Sequence, residues 1–259
     1  YYTEAARLAF ADRAAYVADP DFVAAPAGSW VSLLLPEYLA GRAKLIASRA
    51  ITPAKPGQPA GRATSYAPMA EQPEHGTSHI SIVDAQGRSL AMTSSIESAF
   101  GSRMMVAGFL LNNELTDFSF APRDQAGRAV ANRVQPGKRP RSSMSPTLVF
   151  DKDTGGFVMS VGSPGGALIN HYTARTLWSV LRWGLNPQQA IKLPNFGTTG
   201  GSTLLERGRF SKSIIDDLES RGHTITEMPM TSGLQAIVRT PSGYSGGADP
   251  RREGVVVGD

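Results

Sequence analysis

The chain has 259 residues, no cysteine, and 26 Lys and Arg residues against 22 Asp and Glu residues. This length makes one large or two small domains and can bury a sizeable core without covalent cross-links. The absence of cysteine excludes disulfide frameworks, zinc–thiolate sites, iron–sulfur clusters and cysteine nucleophiles. The four histidines are too scattered to predict a metal site, and the net charge of +4 is too evenly spread to favour nucleic acid. No apolar run is long enough to span a bilayer.

The first 76 residues predict two helices and a connector. Residues 3–19 are Ala-rich with apolar residues at helical spacing, and Asp19-Pro20 ends this helix because proline cannot continue one. A second helix is predicted over residues 36–48, with proline in its first turn. Residues 51–76 hold five prolines and few large apolar groups, which predicts an extended, poorly packed connector.

From residue 77 onward the pattern changes to strands. Residues 79–83 and 90–97 alternate on either side of a turn and predict a β-hairpin. Further along, the pattern predicts strands at 147–150, 157–161, 234–239 and 243–247, a helix from Gly165-Gly166 to Trp183 closed by Gly184 and Pro187, and a shorter helix over 213–221. This order indicates an α+β fold rather than a regular βαβ parallel sheet.

The pair Gly76-Thr77 lies where the connector meets the first strand. A threonine hydroxyl is a weak nucleophile that needs an adjacent base. If the peptide bond before Thr77 is cut, its own α-amine, with a pKa of about 8, becomes that base. Glycine at position 76 permits the strained backbone that an N→O acyl shift requires. Taken alone, however, such a pair is far more often an ordinary turn before a strand.

Motifs elsewhere in the chain decide between these interpretations. They are residues 77–118, 138–147, 162–166 and 247–252, preceded by residues 11–13 and 19–23. In this order they resemble the γ-glutamyltransferase family. Residues 11–13 and 19–23 are similar to the end of its large subunit, and the four later blocks are similar to its small subunit. The resemblance implies a four-layer αββα sandwich of the N-terminal-nucleophile hydrolase type, made as one precursor that cleaves itself.

The resemblance also implies a division of the chain. Residues 1–50 become the C-terminal helices of the large subunit, residues 51–76 the Pro-rich linker that ends at the cleavage site, and residues 77–259 the small catalytic subunit. The family protein is longer, and its remaining large-subunit segment supplies an arginine that clamps the substrate carboxylate. That segment is the expected partner, and this chain alone is expected to cleave poorly and to be inactive.

No cofactor or metal is implied. Family members are often periplasmic or secreted, although a chain without cysteine suits the cytosol equally.

Individual residues receive roles by the same resemblance. Thr77 becomes the nucleophile of self-cleavage and of catalysis, and Ser95 stands where the family has a supporting threonine. Ser95 and Glu97 are two apart on the predicted strand, so they share a face beside Thr77. The remaining roles concern the γ-glutamyl substrate: Gly165 and Gly166 form the oxyanion hole, Glu97, Glu114 and Asp117 hold the α-ammonium, and Ser142 and Ser143 bind the α-carboxylate.

Each of these sites also has a plainer interpretation. Ser95 is an ordinary strand hydroxyl, residues 114–117 are a solvated acidic loop, and residues 138–143 are a solvated basic loop or a weak phosphate contact. A phosphate cradle at Gly165-Gly166 is disfavoured because Ala167-Leu168 stand where a P-loop has Lys-Ser or Lys-Thr.

Two departures from the family widen the choice of substrate. Glu97 stands where many transferases carry asparagine, which brings up to three carboxylates to one ammonium. Residues 118–138 look shorter than a lid loop and lack its closing aromatic, which favours hydrolysis over transfer.

The main hypothesis is a hydrolase or transferase of glutathione and other γ-glutamyl amides through a threonyl acyl-enzyme. The alternatives are a cephalosporin- or glutaryl-type amide acylase and a non-catalytic fragment.

Overall fold

The computed structural model describes residues 1–72 and 76–258. In this part of the chain the α-helices are α1 (Tyr2–Tyr16), α2 (Pro36–Ala43), α3 (Ile169–Trp183), α4 (Pro187–Lys192) and α5 (Lys212–Ser220). The strands are β1 (Ser78–Val83), β2 (Ser89–Ser94), β3 (Met105–Val106), β4 (Phe109–Leu110), β5 (Thr147–Phe150), β6 (Phe157–Gly162), β7 (Phe196–Gly197), β8 (Thr203–Glu206), β9 (Ile225–Met228), β10 (Gln235–Thr240) and β11 (Gly243–Ala248). None of the described helices is both long and apolar enough to cross a membrane.

The chain divides into two compact units, which are described separately. The first unit comprises Tyr1–Gln72, Glu114–Ser142 and Gly197–Met228, and the second comprises Pro73–Asn113, Ser143–Phe196 and Pro229–Asp259. Each unit therefore draws on segments that are distant in sequence.

The second unit is layered around an antiparallel sheet of order β11-β10-β6-β5. Helix α3 packs on β6, and the hairpin β1–β2 packs on the same sheet. Ser160 of β6 bonds to Ser81 in the hairpin, whereas the fully buried Met159 and Val161 point the opposite way, toward the helices. Helices, sheet and hairpin thus form three successive layers of the expected αββα sandwich, and the α+β class is confirmed.

The hairpin β1–β2 has two chemically different faces. Its inward face carries the buried His79 and the half-buried Ser81. Its outward face carries Ile80 paired with Met92 and Ile82 paired with Leu90, and these four side chains are 42–49% exposed. We call these four residues the outer hairpin face. Side chains alternate along a strand, so the register of the pairing decides which set faces the sheet.

The first unit packs its connector more tightly than the sequence predicts. Ala67 and Met69 are buried with Val130, and the main-chain N–H of Met69 donates to the carbonyl of Ala14 at 2.9 Å. Closer to α2, the N–H of Gly57 donates to the Asp12 carboxylate at 2.6 Å. The prediction of a poorly packed segment was wrong here because small residues and main-chain bonds, rather than large apolar groups, fix it to α1.

Three predicted elements also differ in detail. Helix α2 ends at Ala43 rather than near residue 48. Pro187 begins helix α4 instead of only closing α3, since Asn186 caps it through a complete capping box. Strands β8 and β9 pair in parallel on either side of helix α5, so the first unit contains one βαβ connection that the sequence pattern missed.

Candidate functional site

A cavity of about 740 Å³ opens in the second unit beside the hairpin. It is lined by residues 76–78, by residues 94–99 and by Arg103. Thr77, Ser95 and Glu97 therefore line one cavity, with Thr77 and Ser95 half-buried and Glu97 buried. These two lining segments meet because one precedes β1 and the other follows β2, which are antiparallel partners.

The hydroxyl of Ser95 is directed at the carbonyl that precedes Thr77. Its Oγ donates a hydrogen bond to the carbonyl oxygen of Gly76 and accepts one from the main-chain N–H of Glu97 at 2.8 Å. The second bond orients the hydroxyl so that its proton points to Gly76. A donor at that oxygen stabilises the negative charge that develops when a nucleophile attacks the carbonyl carbon.

The predicted strand over residues 90–97 stops at Ser94, so the shared strand face of Ser95 and Glu97 was a wrong prediction. Glu97 has a φ of 68°, in the left-handed region that non-glycine residues rarely adopt. This turn brings the main-chain oxygen of Glu97 so close to Gly76 that a Cβ at position 76 would overlap it. The need for glycine at position 76 therefore comes from this close approach.

On the inward face of β1, the side chain of His79 is buried. One ring nitrogen lies 2.8 Å from Thr93 Oγ1 and the other 3.2 Å from Ser81 Oγ, and the ring covers Gly162 so closely that a Cβ there would overlap it. Burial lowers the pKa of His79 from 6.5 to about 4. The imidazole thus holds the first strand against β6 without adding charge.

Acidification is expected to weaken this support. Below about pH 6.5 the unfolded chain binds a proton at His79, whereas the folded chain binds it only near pH 4. The free energy of unfolding therefore decreases progressively between about pH 6.5 and pH 4. The full shift corresponds to at most about 3 kcal/mol. Thermal unfolding of the full-length protein at pH 7 and pH 4.5 measures this loss. His79→Gln, though less stable at pH 7, is expected to lose less on acidification; an equal loss in both proteins contradicts the assignment.

The glycine pair of the second unit lies at the start of helix α3. Gly165 has a φ of 136° and precedes the 3-10 turn Gly166–Leu168, which continues into α3. A Cβ at Gly165 would come within 3.0 Å of the Tyr172 ring. The first N–H groups of a helix lack internal partners and attract negative charge. Gly165 and Gly166 are not among the described residues that line the cavity, and Ser143, also of this unit, is buried.

The first unit holds the other predicted substrate residues. Glu114 and Asp117 are half-buried at the two ends of the 3-10 turn Glu114–Asp117, and Ser142 is exposed. Asn132 Nδ2 donates to the main-chain carbonyl of Asp117 at 2.7 Å. Gln72 Nε2 donates to the carbonyls of Thr116 and Phe118, at 2.8 and 2.9 Å. The acidic turn is thus held through its main chain.

Sequence reasoning missed the amide side chains that organise these loops. Besides Asn132 and Gln72, Asn113 bonds to Ser98 through both amide atoms, at 2.9 and 3.1 Å, and so closes the loop that follows Glu97. Asn132 directly follows Val130 and Ala131, which are buried. An amide beside an apolar pair was the available signal, because a buried polar group must find an internal partner.

The sequence model of gamma-glutamyltranspeptidase matches residues 1–259. The chain belongs to the gamma-glutamyltranspeptidase family. Relatives in this family include the glutathione hydrolase proenzyme of Bacillus subtilis (strain 168), which is 34% identical over 98% of this chain and 44% of the relative. The Escherichia coli (strain K12) proenzyme is 35% identical over 96% of this chain and 42% of the relative. The chain therefore spans less than half the length of these curated relatives.

Solved structures also match this member of the gamma-glutamyltranspeptidase family. The T380A mutant of Helicobacter pylori gamma-glutamyltranspeptidase has a TM-score of 0.61 and 31% identity, covering 67% of this chain and 99% of the solved chain. Cephalosporin acylase from Bacillus halodurans has a TM-score of 0.81 and 27% identity, covering 99% of this chain and 44% of the solved chain. The family resemblance and the fold class predicted from the sequence are both confirmed.

Proposed function

We propose that this chain carries the self-cleavage junction and the catalytic small subunit of a hydrolase or transferase acting on glutathione and other γ-glutamyl amides. The observation that carries the proposal is the Ser95 hydroxyl, which donates to the Gly76 carbonyl in the cavity that Thr77 lines. A half-buried threonine directly after a hydrogen-bonded carbonyl is the arrangement that an internal acyl shift needs.

Self-cleavage begins with Thr77. Its Oγ attacks the carbonyl carbon of Gly76, the C–N bond between the two residues breaks, the hydroxyl proton passes to the Thr77 nitrogen, and the acyl group thereby moves from nitrogen to oxygen. Water then hydrolyses the resulting ester and leaves a Gly76 carboxylate and a free Thr77 α-amine. That amine accepts the Thr77 hydroxyl proton in later turnovers. Thr77 Oγ attacks the γ-amide, the amine product leaves, and water or an amino acid releases the acyl group.

The substrate roles follow the charges of an α-amino acid. Carboxylates of Glu97, Glu114 and Asp117 pair with the α-ammonium, and hydroxyls of Ser142 and Ser143 bond to the α-carboxylate. The main-chain N–H groups of Gly165 and Gly166 receive the oxyanion at the start of α3. In this assignment, the ammonium of the substrate meets hydrogen-bond acceptors, and its carboxylate and the oxyanion meet hydrogen-bond donors.

The same proposal divides the chain at Thr77. Residues 51–76 form the linker after the large-subunit helices of residues 1–50. Residues 77–259 form the small subunit and make up 183 of the 259 residues. This share resembles the 67% of the chain that accounts for 99% of the solved H. pylori chain. The outer hairpin face, four apolar side chains exposed by 42–49%, supports a remaining large-subunit segment as the partner.

N-terminal sequencing and intact mass of the full-length gene product test the cleavage directly. We expect a fragment that begins at Thr77, whereas a single uncut species contradicts the proposal and favours a non-catalytic role. The 259-residue chain alone is expected to cleave poorly and to lack turnover.

Removal of the Ser95 hydroxyl is expected to slow this cleavage. Ser95→Ala takes away the donor at the Gly76 carbonyl, and loss of one such donor costs about 100-fold in rate. Ser95→Thr keeps the hydroxyl and is expected to cleave at nearly the original rate. The half-life of the uncut precursor, followed by gel electrophoresis, measures both. Equal half-lives for Ser95→Ala and the unaltered protein contradict the role.

A glutaryl- or cephalosporin-type amide acylase is the second candidate. It is motivated by Glu97, which stands where the family often has asparagine, and by the short segment 118–138, and a cephalosporin acylase is among the solved structures that match the chain. Rates on γ-glutamyl-p-nitroanilide and glutaryl-p-nitroanilide separate the two, since the second substrate lacks the α-ammonium. Faster hydrolysis of the glutaryl substrate selects the acylase.

A further inference from the structure

We infer that Asn132 is a positioning residue that sets the spacing between the ammonium-binding and carboxylate-binding parts of the donor site; this inference rests on the proposed function. The ammonium and the carboxylate of an α-amino acid are bonded to one carbon. Protein groups that bind both must therefore be held at one fixed separation. In the first unit, the proposed groups lie on two segments of the chain, at Asp117 and at Ser142.

The side chain of Asn132 links these two segments. Its Nδ2 donates to the main-chain carbonyl of Asp117 at 2.7 Å, and its Oδ1 accepts from the main-chain N–H of Arg141 at 3.0 Å. Arg141 immediately precedes Ser142 in the chain. A single amide group thus bridges the main chain of a proposed ammonium ligand and the main chain beside a proposed carboxylate ligand.

Burial makes this bridge hard to replace. Asn132 is 1% exposed, its Nδ2 also lies 3.4 Å from the sulfur of Met69, and its own carbonyl accepts from the N–H of Ser119 at 2.9 Å. Water has little access to the groups that would lose their partners. Leucine offers neither donor nor acceptor at this size, and an ionised aspartate offers acceptors only.

The bridge also survives the proposed cleavage. Gln72 holds the same acidic turn through the carbonyls of Thr116 and Phe118, but it belongs to the linker before the Gly76–Thr77 junction. Asn132 belongs to the small subunit and stays covalently joined to both segments. After cleavage, the spacing between Asp117 and Ser142 therefore continues to depend on Asn132.

Steady-state kinetics of Asn132→Leu and Asn132→Asp in the full-length protein test this role. For γ-glutamyl-p-nitroanilide we expect KM to rise about tenfold while kcat stays within about threefold, because the ammonium and carboxylate partners no longer fit together. Glutaryl-p-nitroanilide lacks the ammonium and needs no such spacing. The preference for the γ-glutamyl substrate, as a ratio of kcat/KM values, is therefore expected to fall about tenfold.

Asn195→Leu is the matched control. Asn195 is also fully buried, and its amide bonds to Arg175, Met230 and Ser232 in the core of the second unit. This variant is expected to lower the thermal midpoint while leaving KM and the substrate preference unchanged. If Asn132→Leu does not fold, Asn132→Asp, which keeps the size and the Oδ1 acceptor, decides the question.

Two results overturn the inference. One is an unchanged KM and preference in the folded Asn132 variants. The other is an equal fall in kcat/KM on both substrates that Asn195→Leu reproduces, because that pattern belongs to a purely structural role. Failure of the unaltered protein to hydrolyse γ-glutamyl-p-nitroanilide refutes the proposed function instead, so the two failures are distinguishable.

Discussion

Thr77→Ala in the full-length protein is expected to leave the precursor uncut and to abolish amide hydrolysis. The variant keeps the half-buried position in the cavity but removes the oxygen that attacks the Gly76 carbonyl. These 259 residues contain no cysteine, so no thiol of this part of the protein can take over the attack. The precursor band and the rate on γ-glutamyl-p-nitroanilide measure both losses at once.

Thr77→Ser is the matched control because it keeps a hydroxyl in the same place and removes only the methyl group. It is expected to cleave and to turn over, more slowly than threonine but measurably. Normal appearance of both fragments in Thr77→Ala excludes Thr77 as the cleavage nucleophile. Normal cleavage of Thr77→Ser without turnover contradicts the expectation that a hydroxyl at this position supports both steps.

Gly165→Ala is expected to reduce kcat by about 100- to 1,000-fold while leaving self-cleavage intact. The added Cβ meets the Tyr172 ring within 3.0 Å, and the φ of 136° is poorly tolerated by alanine. Relief of either conflict shifts the N–H groups that are proposed to receive the oxyanion. Cleavage is proposed to use the Ser95 hydroxyl instead, so it reports that the variant has folded.

Gly155→Ala provides the comparison for this variant. Gly155 also has a positive φ, 68°, in the turn between β5 and β6, but nothing lies within 4 Å of its Cβ position. The Gly155→Ala variant has the conformational cost of an alanine at positive φ but no steric overlap with a neighbour. Its kcat is expected to stay near that of the unaltered protein. A similar kcat for both variants contradicts the role of Gly165.

Local pattern predicted the regular elements well. The pair β5–β6, helix α3 and the hairpin β1–β2, apart from the end of its second strand, lie where alternation, turn residues and helix-ending glycine put them. Each of these signals depends only on residues that are neighbours in sequence, and tertiary contacts agree with it. The family motifs added the αββα fold, which no local pattern contains.

What the sequence could not provide depends on contacts between distant segments. The left-handed turn at Glu97 ends the second strand early, and no local preference predicts a glutamate there. The packing of Met69 against Val130 joins segments 61 residues apart (130 − 69), and the bond between Gln72 and the acidic turn joins segments 44 residues apart. The outward position of Trp178, which is 54% exposed, likewise follows from how α3 meets its sheet and not from its apolar character.

The register of the hairpin has a consequence for quality control in the cell. Gly76 precedes β1 and Ser95 follows β2, so both lie at the open end of the hairpin, next to the pair Ser78–Ser94. A slip of one residue turns the outer hairpin face inward and moves the Ser95 hydroxyl away from the Gly76 carbonyl. Under the proposed chemistry, a chain in the wrong register cannot mature. Correct pairing of the hairpin is then a condition for cleavage, and molecules whose hairpin is out of register are expected in the uncut fraction of a preparation.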